Sequence, residues 1–85
     1  MEVEFDPAKD AANIAKHGVS LAAATDFEIQ AVVRDDRQTY AEDRFNAFGL
    51  LHGKAYCPTF AVRGGKVRAI SLRRARDKEY RRYVV

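Results

Sequence analysis

Four arginines near the end of the chain, Arg63, Arg68, Arg73 and Arg74, are the residues best suited to chemistry. The guanidinium fork binds phosphate oxygens bidentately and stays charged at any physiological pH. Where a reaction builds negative charge on phosphorus, preorganised cations commonly make the largest contribution to its rate. In a regular strand Arg68 and Arg74 share one face and Arg73 points to the other. Beyond them lie Arg76, Glu79, Tyr80, Arg81, Arg82 and Tyr83. Glu79 offers either an acid–base group or an i,i+3 partner for Arg82. Tyr80 and Tyr83 can stack on bases or pack the tail against the body of the protein. His17 falls at a helix end, where a cation opposes the negative pole of the dipole, and His52 falls in a turn. Lys9, Asn13 and Lys16 have helical spacing and suggest one exposed stripe. No His/Cys/Asp/Glu group has ligand spacing and no glycine-rich phosphate loop is present, so neither a metal nor a cofactor is expected.

The elements that must hold these residues can be read along the chain. Glu2-Val3-Glu4-Phe5 alternates and suggests a short strand. Asp6 and Pro7 are suited to cap and open a helix that runs to about His17, where Gly18 can end it in the left-handed conformation. The small apolar residues Ala8, Ala11, Ala12, Ile14 and Ala15 suggest close packing of that helix. Ser20 can cap a second, short helix from Leu21 to Phe27. Strands follow at 29–33, 44–51, 55–62 and 67–72, with a polar loop at 34–39 and a break at His52-Gly53-Lys54. Pro58 cannot donate to a ladder, which suggests an edge or a bulge. Arg63-Gly64-Gly65-Lys66 is a hairpin turn. Residues 77–83 suggest a final helical segment. Helices followed by a meander of strands give an α+β fold with a mainly antiparallel sheet, two helices on one face, and the other face available for binding.

At 85 residues the chain is one domain, 1–85, with one core. Its net charge of +3 is unevenly spread. Residues 1–62 hold six Lys/Arg against ten Asp/Glu, while 63–85 hold nine against two. A concentrated positive end suggests an anionic partner such as nucleic acid or a membrane surface, or else a solvated last strand and helix. The single cysteine, Cys57, excludes an internal disulfide and a thiolate zinc site. No apolar run nears the roughly 20 residues of a spanning helix and no signal peptide is evident, so a cytoplasmic protein with no membrane partner is expected.

Several of these stretches resemble the BrnT family. Phe5-Asp6-Pro7-Ala8-Lys9, Asn13 and Lys16-His17-Gly18-Val19 look like its opening signature. Arg44-Phe45 with Gly49 resembles its middle strand, and Ile70-Ser71-Leu72-Arg73-Arg74-Ala75 its final-strand motif. Glu79 and Tyr83 fall where the family's basic C-terminal segment has an acid and a tyrosine. Leu72 stands where that motif has alanine, and Cys57-Pro58 interrupts a strand that is normally aliphatic. The resemblance implies a RelE-like fold and a ribonuclease toxin of a type II toxin–antitoxin module that blocks translation. It also implies a BrnA-like ribbon-helix-helix antitoxin as partner, RNA as substrate, and operator DNA bound only through the antitoxin.

On that resemblance Arg73 is expected to be the catalytic cation, with Arg63 beside it because a hairpin-end arginine recurs there. Glu79 and Tyr80 complete the expected catalytic set, and Arg68, Arg74, Arg76, Arg81, Arg82 and Tyr83 the expected RNA-binding set. The leading expectation is a metal-independent endoribonuclease held inactive by its antitoxin. The alternative is a catalytically weak binding module that acts mainly in an antitoxin complex repressing its own operon.

Overall fold

The computed structural model describes residues 2–36 and 42–84. The order is α1 (Pro7–His17), a 3₁₀ helix (Leu21–Asp26), β1 (Glu28–Arg34), β2 (Asp43–Leu51), β3 (Lys54–Arg63), β4 (Lys66–Arg74) and α2 (Asp77–Tyr83). The strands form one antiparallel sheet in the order β1-β2-β3-β4. The fold is therefore α+β, as the sequence suggests. Among the described residues no helix is long and apolar enough to cross a membrane.

Local chemistry sets the element ends. The Asp6 carboxylate accepts from the Ala8 N–H at 2.8 Å, and Pro7 follows at the first helical position, where no N–H is needed. Gly18, at φ 74°, ends α1 by donating to the Ile14 carbonyl. The β3–β4 hairpin closes on Gly64 and Gly65, whose φ values of 59° and 76° suit a two-residue turn of the primed type. Arg34, expected in a loop, instead ends β1 and pairs with Asp36 and Asp43; residues 37–39 of that expected loop lie outside the described residues.

Three expectations need correction. The N-terminal strand is a single parallel bridge between Glu4 and Arg68, made by two backbone hydrogen bonds. The alanines of α1 do not pack: Ala8, Ala11, Ala12 and Ala15 are exposed, and Ile14 is 47% exposed. Asn13, expected on an outer stripe, is the one buried residue of that helix. Its amide pairs with the backbone of β4, Nδ2 donating to the Leu72 carbonyl at 2.9 Å and Oδ1 accepting from the Leu72 N–H at 3.0 Å. Nδ2 also donates to the Val19 carbonyl. One turn earlier, Asp10 Oδ1 accepts from Ser20 Oγ and the Leu21 N–H, which ties α1 to the 3₁₀ helix. Helix α1 is thus held through amide and carboxylate groups rather than through an apolar stripe.

The core lies on one face of the sheet, where Leu21, Ala24 and Phe27 meet Ala47, Leu51, Phe60, Ala69 and Leu72. Ala69 and Leu72 are three residues apart, which a regular strand would put on opposite faces. A bulge resolves this. Thr59 pairs with Ser71 and Phe60 with Ala69, so Ile70 is an extra residue that opposes nothing. Pro58, expected at an edge or a bulge, sits in an inner strand opposite Leu72, next to this irregularity. Among the described residues α2 meets the second face, where Tyr83 stacks on Phe48 with ring centroids 4.8 Å apart.

Truncating Asn13 should expose the cost of this edge contact. Asn13→Ala leaves the Leu72 N–H and C=O buried without their partner, a penalty of about 1–3 kcal/mol for each unsatisfied group. Each kcal/mol is worth roughly 4–8 °C in a domain of this size. Thermal unfolding beside an exposed control, Lys9→Ala, checks it; equal midpoints for the two variants would mean that β4 is held some other way.

Candidate functional site

The bulge at Ile70 also decides where the arginines point. Arg73 pairs with Cys57, Ser71 with Thr59 and Arg68 with Ala61, all on the face away from the core. Arg74 pairs with Tyr56 on the core side, lies 5.4 Å over the Tyr56 ring, and donates from Nε to the Ala55 carbonyl. The expected pairing of faces is therefore corrected: Arg68 and Arg73 share a face, and Arg74 takes the other. The extra residue reverses the alternation between positions 68 and 73.

Helix α2 sits beside Arg73 and brings Glu79 to it. Arg73 Nη1 donates to Glu79 Oε1 at 2.6 Å and Nη2 to Oε2 at 3.3 Å, a two-pronged contact. Glu79 Oε1 also accepts from the Arg76 N–H at 2.9 Å, which satisfies one of the open donors of the helix start. Glu79 is thus the partner of Arg73 and Arg76, not of Arg82. The hydrogen bond from Arg73 is the main reason its carboxyl titrates below the ordinary value of 4.5; the Arg76 N–H adds to this and partial burial opposes it. At neutral pH the carboxylate is ionised. It can accept a proton, and the guanidinium beside it can hold an anionic oxygen.

The other expected residues divide by position. Tyr80 donates from its hydroxyl to Gln30 Oε1 on β1, a residue the sequence does not single out. Gln30 lies where the β1–β2 register shifts between Ile29 and Ala31, and no sequence signal marks that shift. Tyr83 packs on Phe48, and Arg82 lies 5.5 Å over the Tyr83 ring. Arg81 approaches Asp77 at 3.9 Å on the exposed side of α2. A shallow depression of about 570 Å³ is lined by Arg76, Lys78, Glu79, Arg82 and Tyr83. Arg63 stands apart at the β3–β4 turn, six register positions from the row of Arg73. At about 3.4 Å per residue that is roughly 20 Å, too far to serve one phosphate with Arg73.

Two further features flank the pair. Cys57 lies opposite Arg73, buried, and burial pushes its thiol up to about 11, with Arg73 pulling it down and Glu79 raising it. It is a protonated packing residue at neutral pH. Beside that row, Asn46, Thr59 and Ser71 form a polar row across β2, β3 and β4, in which Thr59 Oγ1 donates to Asn46 Oδ1 at 2.8 Å. Their spacing in the sequence carries no signal, because they meet only through strand register. His17 is exposed on α1, and His52, at φ 50°, contacts Asp26 at 3.1 Å across the β2–β3 turn.

The model of a known family matches residues 5–79, and its description is a ribonuclease toxin, BrnT, of type II toxin–antitoxin systems. No curated protein and no solved structure is matched by the chain.

The titration of Glu79 gives a pH dependence of known sign. Its folded-state value lies below its unfolded value, so the stabilisation is complete above about pH 4.5 and is lost as pH falls further. In a pH series of thermal midpoints, the difference between wild type and Glu79→Gln should be constant from neutrality to about pH 5 and shrink below it. A difference that does not change with pH would mean that the charge of Glu79 contributes nothing to docking α2.

Proposed function

The chain belongs to the BrnT family of ribonuclease toxins of type II toxin–antitoxin systems, and on that premise we propose that it is a metal-independent endoribonuclease acting at the Arg73–Glu79 pair. The observation that carries this is the contact itself: an ionised carboxylate and a guanidinium 2.6 Å apart, on the last strand and the terminal helix, at the edge of the sheet face opposite the core. Glu79 takes the proton of the ribose 2′-hydroxyl. The 2′-oxygen attacks phosphorus, and Arg73 holds the oxygens on which negative charge gathers. The bond to the 5′-oxygen breaks, and that oxygen takes a proton from water as it leaves; the Tyr80 hydroxyl is held at Gln30 on β1, the sheet edge opposite β4. The products are a 2′,3′-cyclic phosphate and a free 5′-hydroxyl. Cleavage of cellular RNA then stops translation in the cytoplasm. A BrnA-like ribbon-helix-helix antitoxin covers the basic surface and brings the complex to operator DNA.

A second reading rests on the same contact. Because Glu79 already neutralises Arg73, the pair also suits a purely structural brace for α2, in a module that binds its antitoxin and cleaves poorly.

Expression without an antitoxin separates the two: the enzyme arrests growth with loss of intact RNA, and normal growth at high soluble expression favours the binding module. Arg73→Ala sharpens the test. Loss of one preorganised donor costs about 100- to 1,000-fold in cleavage rate, whereas a partly exposed ion pair contributes about 1 kcal/mol or less to stability. Cleavage of a short RNA and the thermal midpoint are measured together. A collapsed midpoint makes Arg73 structural, and an unchanged rate removes it from catalysis.

A further inference from the structure

The Ile70 bulge does more than turn Arg68 toward the face of Arg73. It produces a line. Taking β3 as the ruler, Arg73 stands opposite position 57, Ser71 opposite 59 and Arg68 opposite 61, and Arg63 follows at 63 on the strand itself. These positions are two residues apart, so all four side chains belong to one face and succeed one another at about 7 Å. Arg44 joins from β2, opposite Ala61 in the row of Arg68. A regular β4 would have broken the line, sending Arg68 under the sheet.

The far end of the line carries free cations. Among the described residues Arg63 and Arg68 make no ion pair, and both are exposed. With Glu4, Gly64 and Lys66 they line a depression of about 340 Å³, where the Glu4 carboxylate is engaged by Lys66 at 3.3 Å. The near end is different: Arg73 is bound to Glu79. One end of the line thus holds a cation with a base, and at the other Arg63 and Arg68 make no ion pair among the described residues.

Resting on the reading of Arg73 and Glu79 as the cleavage site, we propose that this line is a track for single-stranded RNA, with Arg68 and Arg63 binding the backbone phosphates that flank the scissile one. A step of about 7 Å is within the reach of one nucleotide of an extended strand, so three steps lead from the reacting phosphate to the hairpin. The row of Asn46, Thr59 and Ser71 lies in the first step and offers hydroxyl and amide groups to the ribose or base there. Arg63 is then a substrate-positioning residue and not part of the reacting centre.

The test uses two sets of oligonucleotides with one cleavable ribose, the other sugars being 2′-deoxy, extended one nucleotide at a time on the 5′ or the 3′ side. KM should fall with length on one side only and level off after about three nucleotides, the span of the track. In Arg63→Gln, Arg68→Gln and the double variant this gain should vanish. Binding of fully 2′-deoxy oligomers, followed by fluorescence anisotropy, gives a readout that needs no cleavage. The slope of log affinity against log salt should fall by about 0.7 for each arginine removed. Equal gains on both sides, a length gain that survives in the double variant, or an unchanged salt slope would overturn the track. A wild type that binds with the expected slope but cuts nothing would overturn the cleavage site and leave the track standing. If the variants lose kcat on the shortest substrate, Arg63 and Arg68 belong to the reacting centre and the proposal fails.

Discussion

Ile70 is one residue more than β4 needs to match β3, and most of the architecture depends on how the strand absorbs it. Before the bulge Val67 and Ala69 face the core; after it Leu72 does. Had the strand kept strict alternation, either Ala69 or Leu72 would have been turned out of the apolar layer. Both are fully buried, so the cost of leaving Ile70 unpaired in the ladder is offset by two core positions kept. The same shift sorts the arginines of β4, Arg68 and Arg73 on the face away from the core and Arg74 against Tyr56. Packing on one side of the sheet and charge on the other are therefore set by a single irregularity, and neither can be changed alone.

The N-terminal helix is attached by a different kind of force. Many of its outward residues are small and apolar, yet its anchors are Asp10 and Asn13, one turn apart. Hydrogen bonds of this sort are directional and short in reach, so they fix the rotation of a helix more sharply than a patch of alanines would. Asn13 meets the backbone of Leu72, the first core residue after the bulge. The helix thus clamps β4 at the point where its ladder is irregular.

Much of this was legible in the sequence because it is local. Asp6-Pro7, Gly18 and Gly64-Gly65 act through backbone angles and missing N–H groups, which depend little on the rest of the chain, and the structure places helix ends and hairpin where those residues point. Helix α2 was legible at Asp77–Tyr83 for similar reasons. The facing of the last strand was not, because Val67 to Leu72 alternates well enough to read as regular, and the one hint, Pro58, lies on the neighbouring strand. Asn13 was misread for want of a long-range partner: its contact is 59 residues away. Glu79 was offered the wrong neighbour, since Arg82 is close along the helix while Arg73 is close only across the strand–helix corner. Where an interaction is set by register, spacing in the sequence is a poor guide to it.

Closure of the outer edge of β4 has a consequence for association between molecules. That edge is occupied by the Glu4 backbone at one end and the Asn13 amide at the other. Strand β1 ends the sheet on the other side, with Ile29 and Val32 about half exposed. A sheet open at both edges can add copies without limit and grow into a fibre. A sheet open at one edge can take a single strand and then has nothing further to offer. The Glu4 backbone and the Asn13 amide together thereby set a ceiling on edge-to-edge assembly: no chain of additions can pass through the outer edge of β4.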